Sequence, residues 1–373
     1  MTQPSLTASP PAPPVSQGSI APGVRLRLGP EDEGMHPLGP ELNFNESMYI
    51  NFFDAGSGLG GFFRLGNRAN EGHAELTVCL YQPDGSVALA FARPAITGND
   101  AFDAGGLSFT VTEPFQSLTV RFAGEALHLH DPLDMADPKA AYADNPRVHV
   151  SAELHYRGCS PILGGEPVVE EGVTALPAHD GDFAVGHYEQ HVVASGHVTV
   201  GDHAYAVSEG VGLRDHSWGP RHWQSPWWYR WLTGNLGPHA GFVASVIARR
   251  DGSRVIGGVV FRDGDYEQIT DVTLRTDWAD APGVPGGVVQ QTIVVDLVTA
   301  RQSYAVRGSV DVVVPLRHRR TDDQGAPLLT RITEGMTRWS CPALSPVLGS
   351  GLSEYLDQVI DGEPVGRREE AAR

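Results

Sequence analysis

The sequence predicts an all-β protein built as two packed antiparallel sandwiches or barrels. Three observations carry that prediction. Apolar and polar residues alternate over much of the chain, which is the period of a half-buried strand. The 44 glycines and 28 prolines cut the alternation into short runs, as in sandwiches and barrels. A length of 373 residues exceeds one ordinary core but suits two of about 150 each.

Residues 1–30 are rich in Pro, Ser and Ala. They hold too few large apolar groups to offset the entropy of ordering, so a disordered tail is expected there. The first β unit is expected over 31–180. In it, residues 75–81 and 86–91 flank Pro83-Asp84-Gly85 as a hairpin. Residues 118–122 run into a turn at Gly124, and 134–144 fit one or two helical turns. The stretch 164–182 combines turn residues with little alternation and marks a boundary. A second unit, 181–362, follows: 242–248 and 255–261 join across Asp251-Gly252, then come 292–298 and 304–314. Residues 352–360 fit a short helix or a last strand, and the polar end, 363–373, is expected to fray. No repeat of propeller or solenoid type is visible.

The formal net charge is −18, and Lys139 is the one lysine. Nucleic acid and anionic membrane are poor partners for such a surface, because both require clustered cations. Three scattered cysteines make neither a disulfide framework nor a zinc motif, which fits a reducing compartment. No secretion-type start and no run of about 18 apolar residues are present. A cytoplasmic protein without integral membrane association is therefore expected. Its oligomeric state is not encoded in any pattern recognised here.

Chemistry concentrates in 210–231. Five of the seven tryptophans fall between Trp218 and Trp231, beside Arg214, Asp215, His216, Arg221, His222 and Arg230. Aromatic surface next to titratable groups suits a largely apolar pocket with a few convergent polar groups. Asp215 and His216 are adjacent, so on a strand they point to opposite faces unless a bulge re-aims one. The bland alternative is a tryptophan core closed by structural Arg–Asp pairs.

Two further groups qualify. His187, Glu189 and His191 share strand parity and line one face, with Gln190 between them. A hydrogen-bonded inner wall is the preferred reading, and no metal is expected. Asn45-Glu46-Ser47, ahead of an apolar strand, fit either a turn and cap or a pocket wall, and later Glu334 and Glu354 lie in strand contexts where burial raises a carboxyl pKa. There is no nucleophile elbow, P-loop or zincin helix, and no cofactor is expected.

Residues 212–221, Gly-Leu-Arg-Asp-His-Ser-Trp-Gly-Pro-Arg, resemble the signature of the carotenoid 1,2-hydratase-like (CrtC/AttH) superfamily. Asn45–Ser47, the Gly-Gly-x-x-Arg run ending at Arg64, and the Glu189-Gln190 strand resemble weaker features of one bacterial branch. Leu213 stands where some relatives carry Trp. The resemblance implies two packed lipocalin-like barrels and a cavity for a hydrophobic ligand: an isoprenoid, a steroid-like molecule or a prenylated aromatic. It further implies acid-catalysed hydration of an alkene, with Asp215 as proton donor or the donor's partner. His216 and Glu189 complete the expected catalytic set. Arg214, Trp218, Arg221, Trp223, Trp227, Trp228, Gln190, Glu46 and Glu354 are the expected ligand contacts. If an arginine pairs with Asp215, the acid passes to Glu189, Glu354 or His216. A carrier without catalysis, or an isomerase or cyclase using the same protonation step, is the alternative.

Overall fold

Alternating sequence becomes strand nearly everywhere in the computed structural model, which describes residues 24–169, 184–221, 226–321 and 327–371. The first sheet contains β1 (Val24–Arg27), β2 (Phe44–Asp54), β3 (Leu59–Arg68), β4 (His73–Tyr81), β5 (Val87–Ala92) and β6 (Asp103–Ala104). It continues through β7 (Leu107–Glu113), β8 (Ser117–Leu129), β9 (Arg147–Gly158), β10 (Leu163–Val169), β11 (Gly186–Val200) and β12 (His203–Pro220). The second contains β13 (Trp228–Asn235), β14 (Ala240–Ala248), β15 (Arg254–Arg262), β16 (Asp265–Asp280) and β17 (Val288–Thr299). β18 (Ser303–Thr321), β19 (Pro327–Cys341), β20 (Ser345–Ile360) and β21 (Glu363–Pro364) complete it. Two short helices, α1 (Pro138–Asp144) and α2 (Val365–Ala371), are added to these sheets.

Both sheets close on themselves. In the first, β2, β3, β4, β5, β8, β9, β11 and β12 pair in a ring, because β9 bridges β8 and β11. In the second, β13 to β20 form an up-and-down meander that closes through β13 against β20. Closure removes the exposed edges that open sheets must guard. Eight strands leave an interior that side chains can fill. Barrel 1 fills its own with Met48, Ile50, Phe52, Phe63, Leu65, Val78 and their neighbours. Barrel 2 uses Trp228, Phe242, Val260, Ile293, Val306 and Trp339. Each such side chain contributes roughly 1.5–3 kcal/mol when fully buried. A third cluster lies between the barrels, where Tyr49, Phe53, Phe62 and Tyr81 meet Val314 and Leu352.

Four expectations need correction. Part of the presumed N-terminal tail is ordered, since Val24–Arg27 pairs with β10 and Pro30–Glu33 forms a 3-10 turn carrying two buried acids. The C-terminal end folds back as α2: Val365 is buried, and Glu369 and Glu370 meet Trp228 and Arg230. The sheet changes between Pro220 and Trp228 rather than near 164–182, because β11 and β12 pair into barrel 1. Turn-rich composition marks a connection but does not tell one within a sheet from one between domains. Gly124 stays inside β8 rather than turning it.

Candidate active site between the barrels

Strand parity sorts the signature. On β12, Arg214, His216 and Trp218 turn into barrel 1, whereas Leu213, Asp215 and Ser217 face barrel 2. The pairing register extends this outer face into rows. Glu189, Asp215, Tyr49, Arg64 and Thr77 lie side by side across β11, β12, β2, β3 and β4. His187, Ser217, Ser47, Gly66 and Glu75 form the next row. Barrel 2 answers with Trp231, Glu354, Glu334 and Val314 across β13, β20, β19 and β18. Titratable and aromatic side chains thus converge from two barrels on the seam between them, the candidate cleft.

The contacts are specific. His187 Nε2 makes an ion pair with Asp215 Oδ2 and lies 3.9 Å from Glu189 Oε1. The indole N–H of Trp231 donates to Glu189 Oε1 at 2.8 Å, tying the barrels together across the cleft. Tyr49 stands edge-on to Trp231, with ring centroids 5.6 Å apart. The hydroxyl of Tyr229 donates to Glu354 Oε1, and that of Tyr81 to the Glu334 carbonyl at 3.3 Å. Glu189 is 5 % exposed, while the His187 side chain is 44 % exposed. The group therefore reaches solvent along its His187 edge.

Burial and neighbouring charge divide these groups into acids and an ion pair. Burial pushes the Glu189 carboxyl up to about 7, against the pull of the His187 imidazolium. Burial likewise raises Glu354 to about 7 and Glu334 to about 8. Burial works in the same direction on Asp215, but the His187 imidazolium outweighs it and holds this carboxyl below its usual range. For His187, partial desolvation disfavours the charge, yet Asp215 prevails and lifts it to about 9. Near neutral pH the cleft therefore presents carboxyl groups that still hold a substantial share of their protons, beside a carboxylate–imidazolium pair. Apart from that protonation pattern, His187, Glu189 and Asp215 have ligand atoms close enough to hold a metal ion.

Residues 29–359 match the model of a family described as a domain of unknown function, DUF7064. The chain belongs to this family. No match is found among curated proteins. In structure, the DUF7064 chain is similar to a Nitrosomonas europaea protein designated AttH: TM-score 0.57, 14 % identity, covering 92 % of this chain and 99 % of that one. It is also similar to kievitone hydratase from Nectria haematococca: TM-score 0.53, 9 % identity, covering 92 % and 97 %. At such identities the likeness establishes the fold. The all-β, two-barrel fold expected from the signature is present.

The DUF7064 fold separates the expected site residues. Asp215, Glu189 and Glu354 share the cleft, and Arg221 lies at its margin, donating to Ser217 Oγ at 2.7 Å. His216 and Glu46 face into barrel 1 and contact each other at 3.1 Å. Arg214 pairs there with Glu33 at 2.5 Å and donates to Gln190 at 2.9 Å, so it does not touch Asp215. Trp218 stacks on His36, Trp228 fills barrel 2, and Trp227 lies under Arg250. Trp223 lies outside the described residues. His187, Trp231, Tyr49 and Tyr229 were not in the expected set. Strand parity with Glu189 identifies His187, but nothing in the sequence signals Tyr49, Tyr229 or Trp231 as its partners from other strands. A groove of about 620 Å³ on the outer face of β9 and β11, lined by Glu153, His155 and His197 among others, contains none of the cleft's groups.

Proposed function

We propose that the cleft binds a hydrophobic small molecule and hydrates one of its alkenes by acid catalysis. One observation carries this reading: a buried carboxyl, Glu189, whose proton is retained up to about pH 7, stands 3.9 Å from an ion-paired imidazolium in an aromatic setting. Protonating an isolated alkene needs a positioned acid that keeps its proton near neutral pH. Glu189 delivers that proton to one alkene carbon, and the other carbon becomes cationic. The faces of Trp231 and Tyr49 stabilise the cation, each by roughly 0.5–2 kcal/mol. Water entering along the His187 edge adds to the cation and gives its proton to the Asp215 carboxylate. His187 Nε2, between Asp215 and Glu189, returns its proton to Glu189 and takes up the one Asp215 received, which restores all three groups. The balance is alkene plus water to alcohol. Kievitone hydratase, whose fold this chain shares, is by name a hydratase, which supports the class of reaction and not a substrate.

His216 has no part in this scheme, because it faces the other side of β12. No helix among the described residues is long and apolar enough to cross a membrane. Cys79, Cys159 and Cys341 are free thiols, which supports a reducing, cytoplasmic setting.

The test is product analysis with a panel of isoprenoids and prenylated phenolics, comparing wild type, Glu189→Gln and Asp215→Asn. The proposal expects wild type to add the mass of one water, with oxygen taken from labelled solvent, and both variants to bind but not turn over. A product of unchanged mass makes the protein an isomerase or cyclase through the same proton. Ligand recovered unchanged from wild type makes it a carrier.

A further inference from the structure

A second convergence of ionisable groups lies on the inner face of β12, separate from the cleft. His36, Glu46 and His216 each offer one ligand atom, all within 4.8 Å of one another. Nδ1 of His36 is 2.7 Å, and Nε2 of His216 3.1 Å, from the same oxygen, Glu46 Oε1. The backbone N–H of His36 lies between both Glu46 oxygens, 3.0 Å from each. Two imidazole nitrogens thus converge on one carboxylate oxygen.

We propose that His36, Glu46 and His216 form a binding site for a divalent transition-metal ion, Zn²⁺ foremost, that locks the N-terminal segment onto barrel 1. Two imidazoles and one carboxylate are a ligand set suited to zinc. The outer nitrogens strengthen the assignment. Nε2 of His36 lies 3.2 Å from Asp32 Oδ1, and Nδ1 of His216 lies 3.3 Å from the Tyr188 hydroxyl. Such partners set the tautomer that turns the inner lone pair of each ring toward a metal. Asn99 donates to the second Glu46 oxygen at 2.5 Å, and the His36 ring stacks on Trp218 with centroids 3.8 Å apart. Every ligand is therefore held from behind. Glu46 and His216 are fully buried and the His36 side chain is 14 % exposed, so the site is enclosed, and three protein ligands leave the fourth tetrahedral position to a water. Its three ligands come from the segment before β2, from β2 and from β12, which is how one ion would join them.

The same contacts without a metal require a doubly protonated His36 bridging Glu46 and Asp32, and experiment separates the two. The full-length chain, stripped with a chelator and desalted, is titrated with Co²⁺ and then Zn²⁺. The proposal expects one Co²⁺ per chain with visible d–d absorption of a tetrahedral site, its displacement by Zn²⁺, and a higher Tm with metal. His36→Gln, altered at the least buried ligand, should lose the band, whereas His187→Ala, in the cleft, should keep it. X-ray absorption of wild type loaded with one Zn²⁺ should count two imidazoles, which keeps the test open if the His36 variant does not fold. No stoichiometric Co²⁺ band in wild type overturns the site. A band lost in His187→Ala but kept in His36→Gln moves the metal to the cleft and overturns it too.

Discussion

Replacing Glu189 by glutamine tests the electrostatics of the cleft without any ligand. Burial lifts this carboxyl from 4.5 to about 7 in the folded chain. Unfolding returns it to the ordinary range. Between those values the folded protein holds a proton that the unfolded chain has released, so stability falls as pH rises from about 4.5 to about 7. Above that, the whole cost is present, about 3 kcal/mol. Glutamine keeps the shape and the oxygen that accepts the Trp231 N–H, but it has no charge to desolvate. Urea unfolding followed by tryptophan fluorescence should find variant and wild type within about 0.5 kcal/mol at pH 4.5. At pH 8.5 the variant should be the more stable by about 3 kcal/mol. A difference equal at both pH values refutes the argument that Glu189 is a neutral acid held by burial. A variant that is both more stable and inactive is the expected signature of a site that sacrifices stability for function.

Three other predictions follow from the same geometry. Turnover, once a substrate is found, should fall above about pH 7 as Glu189 loses its proton, and at low pH, below the usual carboxylate range, as Asp215 gains one; a pH–rate profile reads both limbs. Trp231→Phe removes an N–H that favours ionised Glu189, so the alkaline limb should move up by about one pH unit, for a charge-assisted bond of about 1.5 kcal/mol. Arg214→Met leaves Glu33 as an uncompensated buried charge and should cost about 3–5 kcal/mol in urea unfolding.

Much of the fold was legible in the sequence because strands write their pattern locally. The hairpin around Pro83-Asp84-Gly85 and the one across Asp251-Gly252 each need only period two and a turn. The features that misled are ones where a distant partner decides. The segment containing Val24 becomes a strand because β10 offers it a ladder. The polar residues of α2 are ordered because Arg230, buried in barrel 2, requires counter-ions, and Glu370 supplies one at 2.6 Å. Neither partner lies within reach of a sequence window.

The candidate site divides in the same way. Sequence alone singled out 210–231 as the candidate segment and determined that Asp215 and His216 face opposite ways and that His187 and Glu189 share a face. Each is a consequence of alternation along one strand. Tertiary structure decided what each face meets. Register between strands set Glu189 beside Asp215, and packing of one closed barrel against the other brought Trp231, Tyr229, Glu354 and Glu334 opposite them. The physical reason is that periodicity fixes direction relative to a strand's own axis, whereas proximity, burial and pKa depend on what that direction meets.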